Sequence, residues 1–171
     1  MTAKSLRYIK WGFVLMFFNI NIGRFDLLPN FAGVLLLIMA LRSQWEETET
    51  EKRLEPLLTA LVIDYFLHWI FAFDNGVENL MITIISIYTI YVYLGEVMVR
   101  VEDRQPEIAG TLQKVRIGYA LLQVLNYVCG AYNMAAIVMI IAIGFLVLLV
   151  VMLFALFGIA PNEEAEGASN E

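Results

Sequence analysis

Asp64 and His68 stand four residues apart inside an apolar run, LVIDYFLHWIF, so on a helix they project from one face. A carboxylate beside an imidazole is a pair that can hold, share or pass a proton near neutral pH. An ionised group in hydrocarbon costs about 2.5–3.5 kcal/mol on insertion scales, so both groups must face other protein groups rather than lipid. Two further runs repeat the polar pattern. Thr83, Ser86, Thr89, Tyr93 and Glu96 step by three or four through an Ile- and Val-rich stretch, and Tyr119, Gln123 and Asn126 share one side of the next. Counting about 1.5 Å per residue from the charged ends of these segments places Asp64 roughly 10 Å deep and His68 roughly 16 Å deep. The same count sets Tyr93 and Gln123 near the Asp64 level, Thr89 near His68, Asn126 somewhat deeper than Gln123 and Glu96 near the surface.

The seam of Asp64, His68, Thr89, Tyr93, Glu96, Gln123 and Asn126 has two readings. In one, its hydrogen bonds join helices and set their register. In the other, Asp64 carries an exchangeable charge, His68 relays it and Glu96 is the mouth of a path. A metal site from Asp64, His68 and Glu96 would have one imidazole and no usable thiol, a thin donor set, so neither a metal nor a cofactor is expected. Nucleophile elbows, phosphate-binding glycine loops and paired-histidine zinc patterns are absent, which argues against an enzyme. The single cysteine, Cys129, lies in LNYVCGAY and reads as a buried, unreactive thiol.

The elements that must carry these residues follow from composition. Of 171 residues, 60% are apolar and 16% charged, and the mean hydropathy is +0.72. Such a chain has too little polar surface for a soluble domain of its size, so a lipid bilayer is the expected partner. The net charge of −6 comes largely from two acidic segments outside the apolar runs, and no basic patch with interleaved aromatics points to nucleic acid, which is not an expected partner. The apolar runs predict an all-α transmembrane bundle of six helices in three antiparallel hairpins. Helix 1 is expected over Leu6–Gly23 and helix 2 over Leu27–Leu41, with Pro29 in its first turn and Asp26 as its N-cap. Helix 3 is expected from Pro56 to Phe73, helix 4 from Leu80 to Val99, helix 5 from Ile117 to Ala131 and helix 6 from Met134 to Ile159. Charged loops are expected over Arg42–Glu55 and Arg100–Arg116, with tight turns at Asp74-Asn75-Gly76 and Tyr132-Asn133. Residues 1–161 form one domain in this reading, and 162–171 form a disordered acidic tail.

Lys and Arg fix the orientation. Ten of the 11 lie at the amino end or in the two charged segments, and only Arg24 lies in a short turn. That asymmetry places both termini and the charged loops in the cytoplasm. Arg24 and Asp26, in the hinge between helices 1 and 2, carry the remaining choice: two full spans would put them outside the membrane. A re-entrant pair, giving four spans in all, would put them within it. Trp11, Trp45, Trp69, Phe25, Phe73 and Tyr132 read as an interfacial aromatic belt.

The runs FFNINIG and LLPNFAGVLLL add a resemblance. Their Leu-Pro-Asn-Phe-x-Gly core resembles small bacterial multi-pass membrane proteins whose second apolar segment carries Leu/Ile-Pro-Asp-Phe-x-Gly-Tyr, with Asn30 here in place of Asp and Val34 in place of Tyr. It covers roughly the first 45 residues and implies a bacterial plasma membrane location and no catalytic role. The expectation is a non-catalytic accessory protein that packs against other membrane proteins. The alternative is a small transporter or proton-coupled carrier using the Asp64–His68 seam.

Overall fold

A computed structural model describes residues 1–17, 21–22, 25–26, 30–44, 49–71 and 76–161. Among them are six helices: α1 (Ala3–Phe17), α2 (Asn30–Gln44), α3 (Glu49–Phe71), α4 (Gly76–Glu102), α5 (Pro106–Ala131) and α6 (Ala135–Gly158). Three stretches are long and apolar enough to cross a membrane, Lys52–Phe71 in α3, Glu78–Glu102 in α4 and Ala135–Gly158 in α6. The fold is therefore all-α as expected, with three membrane-length helices. At 15 residues each, α1 and α2 rise about 22 Å, short of a hydrocarbon core of about 30 Å. The charges on Glu107, Lys114 and Arg116 set α5 apart from the membrane-length helices.

The chain forms two compact units, residues 1–85 with the segment from Ile159 onward, and residues 86–158, the boundary falling inside α4. In the first unit, α1 buries Leu6, Ile9, Phe13 and Met16, the stripe of an amphipathic helix, together with Ser5 and Gly12. This stripe meets α2 at two glycines. A Cβ on Gly33 would stand 2.6 Å from both the Gly12 carbonyl oxygen and the Met16 amide nitrogen, and one on Gly12 would stand 2.7 Å from Leu37 Cδ2. At Gly33, where the atoms met are backbone, only hydrogen permits this approach, as at small-residue crossings of membrane helices generally. The neighbouring Phe31 packs edge-on against Phe66 and Trp69 of α3, at 5.3 and 5.7 Å between ring centroids. The Asn-Phe-x-Gly stretch thus tightens α2 on both sides, Gly33 toward α1 and Phe31 toward α3. At the other end of α2, Arg42 grips Glu55, its Nε donating over 2.9 Å and its NH2 to the same carboxylate oxygen. Lys10 Nζ donates to the carbonyl of Ile159 at 3.3 Å.

In the second unit, α5 and α6 pack with contacts that ascend one helix as they descend the other. Gly118 lies under Leu148, and Tyr119 stacks edge-on with Phe145 at 6.1 Å. Their connection is a complete Schellman closure: Asn133, at φ 54°, donates its N–H to Gly130, and Met134 donates to Cys129. Asparagine is the residue other than glycine that adopts this left-handed conformation most readily. The expected Tyr132-Asn133 turn is the one observed. Cys129 is buried and free, as read from its apolar surroundings.

Several boundaries differ from the sequence reading. Helix 1 does not run to Gly23, and the start expected for helix 2, Leu27, lies outside the described residues. Instead Asn21–Ile22 and Phe25–Asp26 pair as a minimal antiparallel bridge, Asn21 opposite Asp26. Alternating Asn and β-branched Ile hold a helix poorly and suit an extended chain. Asp26 pairs in this bridge, while Arg24, Leu27, Pro29, Trp45, Phe73 and the 162–171 tail lie outside the described residues. The Arg42–Glu55 segment is helical at both ends, so Pro56 falls inside α3 and not at its start, leaving the Lys52 carbonyl without its usual helical donor. The Arg100–Arg116 segment is no loop: α4 continues to Glu102 and α5 starts at Pro106, whose fixed φ suits a first turn. Glu, Gln, Leu and Lys are strong helix formers, so charge there marks polar helix ends. Arg116, in α5, rests its guanidinium 4.6 Å from the centre of the Tyr91 ring. Gln105, just before α5, donates its side-chain amide to the Gly158 carbonyl at 3.2 Å and so closes the end of α6.

Candidate functional site

Asp64 lies a little under two turns before the end of α3, and its side chain is 9% exposed. His68, one turn on, is half-buried. Its Nδ1 lies 3.1 Å from the Asp64 carbonyl oxygen and 3.4 Å from Asp64 Oδ1. A carbonyl can only accept, so in this hydrogen bond Nδ1–H is the donor. The third member is Glu78, in the first turn of α4. One ligand atom from each of Asp64, His68 and Glu78 lies within 4.8 Å of the other two.

Glu78 is absent from the sequence-derived seam. It was available by counting from the turn: His68 is three residues before the end of α3 and Glu78 two residues into α4, so both stand at about the same height. The earlier count started from the charged end, at Leu57, and paired the histidine with residues further along α4. Glu96, named as the mouth of a path, stands in the last two turns of α4 and is half-buried.

The remaining seam residues fall in the second unit. Tyr119 is the hub: Gln123 Nε2 donates to its hydroxyl at 3.0 Å, and Ser86 Oγ lies 3.4 Å from the same oxygen. This joins α4 to α5 through side chains that were read as facing stripes. Thr89 and Tyr93 are fully buried one and two turns beyond Ser86. The Thr89 hydroxyl is buried with no hydrogen-bond partner among the described residues. Gln123 and Asn126 are half-buried. The stripe therefore splits into a carboxylate–imidazole–carboxylate cluster in the first unit and a hydroxyl–amide network in the second.

What the fold and site define is an all-α chain with three membrane-length helices and buried polar groups on them. No protein-family model, curated protein or solved structure matches it.

Proposed function

We propose that this chain is an integral plasma-membrane protein, three antiparallel hairpins with both termini cytoplasmic, that acts without catalysis by packing against other membrane proteins. The observation that carries this reading is the Ser86–Tyr119–Gln123 network, whose polar groups spend their hydrogen bonds on one another. Side chains lining a conduction path would instead keep donors and acceptors for water and cargo. The lack of any ionisable residue in α6 agrees with it, as does the exposure of Met139, Ile140, Ile143, Leu146, Val147 and Phe154 along its length. That surface is met by acyl chains or by the helices of a partner. The ten-to-one distribution of Lys and Arg supports the orientation.

The test is photo-crosslinking in native membranes from Leu146 and Phe154. Discrete protein adducts are expected; adducts with lipid alone at both positions overturn the packing role. A second reading is favoured by the Asp64–His68–Glu78 cluster, a buried carboxylate beside an imidazole, which suits a proton-coupled carrier. Proton flux in proteoliposomes separates the two: flux lost in Asp64→Asn with insertion intact establishes the carrier, and no Asp64-dependent flux removes it. For the short first helices, a cysteine placed at Arg24 labelled by an impermeant outside reagent supports two spans, and protection until permeabilisation supports a re-entrant pair.

A further inference from the structure

We propose that Asp64, His68 and Glu78 bind one divalent transition-metal ion of the zinc class, clamping the end of α3 to the first turn of α4. The donor set is one imidazole and two carboxylates from two helices, with ligand atoms within 4.8 Å of one another. Zinc binds such atoms at about 2.0–2.2 Å, which puts neighbouring ligands ~3.4 Å apart in a tetrahedron, so ligand atoms within 4.8 Å of one another need close by at most ~1.4 Å to hold an ion. Imidazole selects zinc, iron, nickel and copper over magnesium and calcium, which prefer oxygen alone.

Two features separate this cluster from an ordinary solvated acidic patch. The imidazole is already oriented, its Nδ1 held by the Asp64 main chain at 3.1 Å. Second, the Asp64 carboxyl is buried, with His68 and Glu78 as the charged groups beside it. A divalent ion neutralises both carboxylates at once. The site is independent of whether the protein packs or carries, and its test is binding rather than flux.

The experiment uses the full-length chain in detergent, stripped with chelator and titrated with Co2+ alone. Cobalt absorption bands are expected to saturate at one ion per chain, with Zn2+ displacing them. Glu78→Gln and His68→Gln should each weaken Co2+ at least about tenfold, the lower end of what even outer-sphere partners of metal ligands contribute, while Glu96→Gln leaves it unchanged. Unaltered affinity in both variants overturns the site. Should a variant misfold, the stripped wild-type chain decides alone, because an ion bound only by the folded state must raise its Tm. A wild-type chain with no stoichiometric Co2+ and a flat Tm ends the proposal.

Discussion

A Cβ on Gly33 would lie 2.6 Å from the carbonyl oxygen of Gly12, so the approach of α2 to α1 depends on hydrogen at Gly33. The atoms in the way are backbone, which cannot rotate aside. Gly33→Ala must therefore push the two helices apart, and overpacking of this kind costs about 1–3 kcal/mol. Gly110, in α5, has nothing within 4 Å of the same construction. There Gly→Ala removes the helix penalty of glycine and should stabilise by up to about 1 kcal/mol. Thermal unfolding in one detergent checks both. A Gly33→Ala chain as stable as the parent contradicts the close crossing.

Tyr119 supplies one hydroxyl to two neighbours, Gln123 at 3.0 Å and Ser86 at 3.4 Å. Tyr119→Phe keeps the ring against Phe145 and deletes only that oxygen. Interhelical hydrogen bonds in membrane proteins average about 0.6 kcal/mol and reach about 1.7. With one bond between helices and one within α5 lost, the expected destabilisation is about 1 kcal/mol, and Ser86→Ala should cost less than Tyr119→Phe. Equilibrium unfolding of the single and double variants measures it. Strict additivity would show that Ser86 and Tyr119 do not interact.

How much of this was readable in the residues varies along the chain. The body of α6 was legible because its apolar run has no competing signal, and the Tyr132-Asn133 turn because asparagine tolerates the left-handed backbone that it adopts at φ 54°. The start of α5 was not, because Glu107, Lys114 and Arg116 look like loop residues by charge, although their helix propensities are high. Pro56 misled in the same way: a proline ahead of an apolar run reads as a first turn, yet α3 begins seven residues earlier and absorbs one lost hydrogen bond. The site divided similarly. The i, i+4 relation of Asp64 and His68 is a property of any helix, whereas the partner across the turn depends on where both helices end. The choice of origin, the turn or the charged end, is what separated Glu78 from Glu96.

Asn133 offers a sharper probe of the α5–α6 connection, because its positive φ is a backbone requirement and not a packing contact. Its N–H to Gly130 and the Met134 N–H to Cys129 close the last turn of α5 at 3.0 and 2.9 Å. Any residue that accepts φ near +54° preserves both bonds. Asn133→Gly should therefore hold stability or raise it slightly, since glycine carries no Cβ penalty there. A β-branched residue meets that penalty in full, so Asn133→Val should cost about 1–2 kcal/mol, the left-handed strain of a single residue. Thermal unfolding of the two variants beside the parent reads the difference. The order expected is Gly at or above Asn, with Val well below. A valine chain as stable as the glycine chain would mean that the connection does not need its left-handed residue and that the two closing hydrogen bonds survive another backbone path.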